Sequence, residues 1–339
     1  MDRRGRIGAG LAIGALLLAV ALTAWLSTRG VQPSAPVYGN GGSAAAGLWT
    51  WDGSAYRLLP IADPGPYSND ADMAYDRARG LTVLWDHGCG RLVMGFTGGC
   101  TAQVDQTWTW DGRAWTRQAA RSSPQEMGRG VMVYDPRLAS VLYVNGVGRA
   151  WAWNGSDWRA VELRGAPGVP SPGAASAPST FAVGYDEGRN VLVFVLSDST
   201  WLWDGGTWTS VPGGIRPADS RSDPHLVYDS ARRLLVYVGS RLTWTWDGAR
   251  WQAHDQPTLG SATLAYDPIR GQTTLLEEDT SACDRTACRT ATWTFDAASW
   301  TRRQMDKVVM LPLTRSGASA PPLAFDERRG VLILFASAT

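Results

Sequence analysis

Lysine is almost missing from this chain: Lys307 is the only one among 32 basic residues, and 31 acidic residues leave a formal net charge of +1. Without a basic excess there is no electrostatic footprint for a phosphate backbone, which removes nucleic acid from the expected partners. Histidine is scarce as well, with three in 339 residues. No Cys-x-x-Cys, nucleophile elbow, zincin helix or P-loop occurs, so the usual signatures of metal, acyl-transfer and nucleotide chemistry are absent. Charged residues make up 19% of the chain against 44% hydrophobic, which argues against disorder. What abounds is tryptophan, 18 of them beside 38 glycines. Tight turns punctuated by large flat side chains form an all-β signature. A chain of 339 residues also outgrows one core, so it needs several domains or a repeating architecture.

Residues 7–26 are an unbroken apolar run preceded by Arg3, Arg4 and Arg6. At 1.5 Å rise per residue such a run spans about 30 Å, the thickness of a bilayer's hydrocarbon core. The positive-inside rule leaves the amino end in the cytoplasm and exports the rest. The length fits an uncleaved anchor, and Ala19-Val20-Ala21 fits a processing site in a secreted alternative. Three segments are therefore expected: a transmembrane anchor at 1–28, a flexible Gly/Ser/Ala/Pro-rich linker at 29–47, and a folded body at 48–339.

The body is built from two interleaved repeats. One reads W-x-W-D-G-x-x-W: WTWDGSAY (49–56), WTWDGRAW (108–115), WAWNGSDW (151–158), WLWDGGTW (201–208), WTWDGARW (244–251) and WTFDAASW (293–300). Aromatics at i and i+2 share one face of a strand, and Asp-Gly supplies a positive φ for a tight hairpin. The third aromatic then returns on the partner strand. The other repeat reads apolar-x-Tyr-Asp followed by an apolar run, at 73–85, 131–144, 182–195, 226–238, 264–276 and 323–335. Five copies place Arg three residues after the Asp (Asp76 and Arg79, Asp186 and Arg189, Asp229 and Arg232, Asp267 and Arg270, Asp326 and Arg329). Recurrence in five of the six copies reads as a turn-stabilising ion pair, and an exposed one contributes only ~0–1 kcal/mol.

Two hairpins per period give four strands, and six periods give a six-bladed β-propeller of four-stranded antiparallel blades. The lone first hairpin and the lone last one complete each other, so amino- and carboxyl-terminal strands are expected to share one blade and close the ring. The pattern resembles the Kelch repeat over residues 48–336, and bacterial propellers similar in fold to the central domain of galactose oxidase. It departs from Kelch at the second-strand ends, where a Gly-Gly pair is usual. Here those ends are Leu84-Trp85, Asn145-Gly146, Leu196-Ser197, Gly239-Ser240, Glu277-Glu278 and Ala336-Ser337. A galactose-oxidase-like copper site needs a cysteine cross-linked to tyrosine, and every cysteine here has a local partner, so no cofactor or metal is expected.

Repeating residues are explained by packing, so function should sit where the blades differ. The long, variable segments (86–106, 162–180, 210–224, 277–291 and 301–321) fall on one face, and short turns on the other. Candidate binding residues on the long-loop face are Trp85, Asp86, His87 and Asn145, then Asp198, Asp223 and His225, and finally Glu277, Glu278 and Asp279. His254 lies near the same face but outside the set. The acids read either as a solvated rim or as a cluster at the channel mouth, and none of the set is assigned as catalytic. Cys89 with Cys100, and Cys283 with Cys288, bracket two of the loops and read as local disulfides in an exported protein. The segment 91–99 fits either an extra hairpin or an extension of the second strand. The expected function is an extracytoplasmic, membrane-tethered module that binds a protein or glycan. The alternative is a glycan- or polymer-active enzyme using Asp86, Asp198 or Glu277, which requires carboxylates ~5–9.5 Å apart.

Overall fold

The structure, a computed structural model, describes residues 47–336 apart from 60–70, 88, 93–99, 104, 125–129, 147, 166–180, 197–198, 212–224, 260–261, 284–286, 304–309 and 313–320. The chain divides after Ser43, and residues 44–339 form one unit. Among the described residues no helix is long and apolar enough to cross a membrane, and the apolar run at 7–26 lies outside them.

Six antiparallel sheets form the blades, each written here from its inner to its outer strand. Blade 1 is Leu323–Asp326, Val331–Ala336, Gly47–Trp51 and Tyr56–Leu58; blade 2 is Ala71–Asp76, Leu81–Asp86, Gln106–Trp110 and Trp115–Arg117. Blade 3 is Gly130–Asp135, Ser140–Asn145, Ala150–Trp153 and Trp158–Val161; blade 4 is Phe181–Asp186, Val191–Leu196, Ser199–Trp203 and Trp208–Val211. Blade 5 is His225–Asp229, Leu234–Val238, Leu242–Trp246 and Trp251–Asp255; blade 6 is Ala262–Asp267, Gln272–Cys283, Ala287–Phe295 and Trp300–Arg303. The inner strands neighbour one another in the order 1 to 6 and back to 1. Blade 1 combines the two chain ends, with Trp49 opposite Leu334 and Trp51 opposite Leu332. The ring is closed.

The aromatic repeat explains each outer hairpin. Its second and third aromatics pair directly across the strands, as Trp110 with Trp115 and Trp153 with Trp158, with ring centroids 5.6 and 5.5 Å apart. The turn between them is wider than the tight hairpin expected, since four residues separate the paired aromatics. The Asp organises it: Asp111 Oδ1 accepts the Arg113 and Ala114 amides at 2.7 and 2.9 Å. The glycine after it adopts a positive φ, 92° at Gly112. In blade 6 the non-glycine Ala297 holds the same place at 72°.

Each blade interface has its own apolar core. The pairing of blades 2 and 3, for example, buries Val83, Trp85, Tyr143, Trp153 and Trp158. Truncating one such buried tryptophan to alanine costs about 3–5 kcal/mol. The third aromatic also makes a polar link to the preceding blade. Trp158 Nε1 donates to Thr107, Trp251 to Thr200 and Trp300 to Thr243, at 2.8, 3.0 and 2.8 Å. Tyr56 completes the set against Thr292 at 3.2 Å. That threonine stands just before the first Trp of the repeat, and in blades 1 and 3 the position holds Leu48 and Ala150. The indole nitrogens they face, on Trp115 and Trp208, are buried without a hydrogen-bond partner among the described residues.

The Asp–Arg pairs differ from the exposed ion pairs expected from sequence. Asp76, Asp186 and Asp326 are 0% exposed, and their arginines cross to the next blade. Arg79 Nη1 lies 2.8 Å from Asp76 Oδ2 and 3.0 Å from the Ala139 carbonyl of blade 3, and its other nitrogen bonds the Asn154 carbonyl. Arg232 reaches the Gly271 carbonyl of blade 6 at 2.8 Å. A sixth member lies outside the three-residue spacing. In Asp135-Pro136-Arg137 the arginine comes two residues after the aspartate, yet it bonds both Asp135 oxygens and reaches the Trp203 carbonyl at 3.3 Å.

The glycine of the aromatic turn makes room for these arginines. A Cβ on Gly112 would lie 1.6 Å from Arg329 Nε.

Candidate functional site

The long-loop face is built at the ends of the second strands. Counting five residues on from the partner of each repeated Asp gives equivalent positions at Asp86, Asn145, Leu196, Gly239, Glu277 and Ala336. Polar side chains therefore gather in blades 2, 3 and 6, while blades 1, 4 and 5 carry apolar residues or glycine. Among the described residues, the extra strands belong to blades 2 and 6. The insertion of blade 2 folds as its own two-stranded ribbon, Cys89–Leu92 with Cys100–Gln103. In blade 6 the second and third strands run on through much of the expected loop 277–291, and Met310–Pro312 pairs with Ala287–Arg289.

The expected solvated rim is not what the described acids form. Asp86 is 2% exposed and Glu277 is 7%. Glu277 Oε1 accepts the Trp293 indole N–H at 2.8 Å, which anchors the first aromatic of blade 6. Asn145 is buried too, and its side-chain oxygen accepts the Arg149 amide at 2.9 Å to close its loop. Trp85, expected on the binding surface, is 3% exposed and packs between blades 2 and 3. Burial follows from register: Trp85 lies opposite Thr107 within the sheet, so its ring enters the interface.

One group does come together at this mouth. His87 Nε2 lies 2.9 Å from Asp72 Oδ2, with the two side chains 13% and 27% exposed. The imidazole stacks on Trp85 at 4.4 Å and 29°, and Tyr143 of blade 3 meets Trp85 edge-on at 4.4 Å. Trp85 Nε1 donates to Asp105 Oδ1 at 3.0 Å, and the other Asp105 oxygen accepts the Ser123 hydroxyl. Gly130 is what admits the Tyr143 ring, because a Cβ there would sit 2.2 Å from Tyr143 Cζ. Asp72 and Asp105 had no signal in the sequence, since neither belongs to a repeat or ends a second strand. The arrangement fixes one imidazole against the Asp72 carboxylate on a rigid aromatic stack.

The other histidines are packing groups. His225 Nε2 donates to the Ala262 carbonyl of blade 6 at 2.7 Å. His254 sits 2.8 Å from Thr245 and edge-on to Phe295, and burial lowers its pKa below the ordinary 6.5. Asp198 and Asp223, and the side chains of Glu278, Asp279, Cys89, Cys100, Cys283 and Cys288, lie outside the described residues. Among the described residues no three His, Cys, Asp or Glu side chains are grouped to hold a metal ion.

No family model matches this sequence, and no curated protein matches it. Among solved structures, a six-bladed fungal lectin from Aleuria aurantia is 10% identical, with 76% of this chain and 84% of that one covered at a TM-score of 0.49. A putative TolB from Agrobacterium tumefaciens is 11% identical over 87% and 99% of the two chains, at a TM-score of 0.47. The SapL1 lectin in complex with alpha methyl fucoside is 13% identical over 76% and 86%, at a TM-score of 0.44. Likenesses this distant carry no argument about function. The blade count rests on the sheets themselves, and the function on the site.

Proposed function

We propose that this chain is a ligand-binding module of Kelch-like type, held on the outer side of a membrane by residues 7–26. It takes a glycan or protein ligand at the long-loop mouth beside Asp72 and His87. The observation that carries the reading is how the carboxylates Asp72, Asp105 and Glu277 are used. Asp72 is joined to His87, Asp105 to Trp85 and Ser123, and Glu277 to Trp293. Carboxylates committed in this way build a fixed surface, whereas two-carboxylate hydrolysis needs a facing acid and base. Asp86 and Glu277 also belong to blades 2 and 6, with blade 1 between them. The partly exposed Asp72 carboxylate favours a ligand that donates hydrogen bonds, such as a sugar hydroxyl or a basic side chain.

Disulfides at Cys89–Cys100 and Cys283–Cys288 belong to the same proposal and would fasten the two extra arms of this face. Cys283 and Cys288 stand opposite each other in register, and Cys89 and Cys100 lie on paired strands. The test is binding of the exported domain to immobilised glycans and to basic peptides. Asp72→Asn and His87→Ala should each abolish the signal found with the parent protein. Retention of that signal in both variants contradicts the site.

A further inference from the structure

The residue after the repeated aspartate sits at the inner end of every tight turn, and it does not repeat. It is Arg77, Pro136, Glu187, Ser230, Pro268 and Glu327 in blades 2, 3, 4, 5, 6 and 1. Three of these are charged, and the fold brings those three together. Arg77 Nη1 lies 2.7 Å from Glu187 Oε1, and its Nε bonds Glu327 Oε1. Glu327 belongs to the adjacent blade 1, but Glu187 belongs to blade 4, two blades away on the other side. Because the inner strands ring the axis in blade order, a link from blade 2 to blade 4 passes on the axial side of blade 3. The guanidinium carbon lies 5.9 Å from the ring of Tyr134, on the inner strand of blade 3. One side chain thus links four of the six blades at the tight-turn end of the ring.

Stability does not explain this bridge. Its three side chains are 37%, 34% and 35% exposed, and ion pairs that wet contribute only ~0–1 kcal/mol each. The same face is already fastened by buried Asp–Arg pairs in every blade. Position is what sets the bridge apart. We propose that Glu327, Arg77 and Glu187 form a stopper that closes the axial channel at its tight-turn end, leaving the long-loop mouth as the way in. Burial works against the charged guanidinium, but Glu187 and Glu327 outweigh it and raise its pKa, so the arginine stays charged.

Hydroxyl-radical footprinting of the full-length protein tests the stopper, with Tyr134 as reporter and Tyr56, buried in blade 1, as control. Tyr134 should oxidise several-fold faster in Arg77→Ala, and also in Glu187→Gln/Glu327→Gln, which releases the arginine without truncating it. Tyr56 should be unchanged in both. An unchanged Tyr134 rate in the variants overturns the proposal, because the mouth would then be open with the bridge or shut without it. A parallel rise at Tyr56 also overturns it, since the bridge would then be holding the ring together. If Arg77→Ala fails to fold, the double glutamine variant decides alone.

Discussion

At the tight-turn ends, six aspartates hold six arginines that reach into the next blade. At the opposite ends, the equivalent positions are Asp86, Asn145, Leu196, Gly239, Glu277 and Ala336. The same six sheets therefore carry two kinds of surface. On the first, a residue recurs because each interface needs it, and its role is shared around the ring. On the second, the residues have been released from that need and each does something local. Asn145 closes a loop, Glu277 anchors an indole, and Asp72 fixes an imidazole. Even on the repeated face, the position after the aspartate escapes the repeat, and three of its six residues gather across the axis.

The comparison can be broken most forcefully at a buried aspartate. Asp186→Ala strands the Arg189 guanidinium and its amide, and should cost about 3 kcal/mol, the low end for a broken buried pair because the arginine is partly wet. Denaturant unfolding reads this, and a change below about 1 kcal/mol would place the pair among ordinary surface bridges. Next comes the turn glycine. Gly112→Ala combines an unfavourable φ with collision against Arg329 and should cost about 2–3 kcal/mol. Gly205→Ala, where Arg137 is 3.4 Å away, should cost only about 1–2 kcal/mol. Equal costs at the two sites would show that the arginine gives way freely. Asp72→Asn, on the other face, should leave the unfolding midpoint nearly unchanged while removing ligand, since the side chain is partly exposed and outside the cores.

Smaller effects sharpen the picture. Hydrogen bonds from Ser54, outweighing the opposing effect of burial, hold the Asp52 carboxyl down at about 2 against an ordinary 3.8. Amide hydrogen bonds lower the equivalent Asp111 and Asp247 in the same direction. These depressed groups contribute stability above pH 3.8, and that contribution is lost as pH falls toward 2. NMR titration of Ser54→Ala should find the Asp52 pKa raised toward its ordinary value, and an unmoved pKa would contradict the role of the serine. The smallest change is a gain: Ala150→Thr offers the buried Trp208 indole the partner its counterparts have, worth up to about 1 kcal/mol in thermal unfolding. A loss there would mean that blade 3 has no room for the hydroxyl.

Much of the scaffold could be read from sequence because it is periodic. The spacing of Trp108, Trp110 and Trp115 set strand, turn and return strand in one short segment, and the lone hairpins at 49–56 and 323–335 implied the shared blade. What was hidden depended on neighbours distant in sequence. Nothing local marks Asp76 as buried, because its burial comes from the arginine geometry and the blade beyond. In blade 3 the arginine stands two residues after the aspartate instead of three, and that offset concealed the sixth pair. The threonine before the first tryptophan in four of the blades looked like ordinary strand composition until an aromatic from the next blade met it. At the candidate site, His87 stood out by rarity, but Asp72 joins it only through strand pairing, with the inner strand of blade 2 lying beside the second.

Native-state hydrogen exchange on Gly47–Trp51 tests the closed ring most directly. The strand pairs with Val331–Ala336 inside blade 1, and Leu48 is fully buried against blade 2. Its amides should exchange only through global unfolding, with the same protection free energy as the inner strand Phe181–Asp186 on the far side of the ring. Exchange at a markedly lower free energy, with the other blades still protected, would mean that the ring stands without its terminal strand.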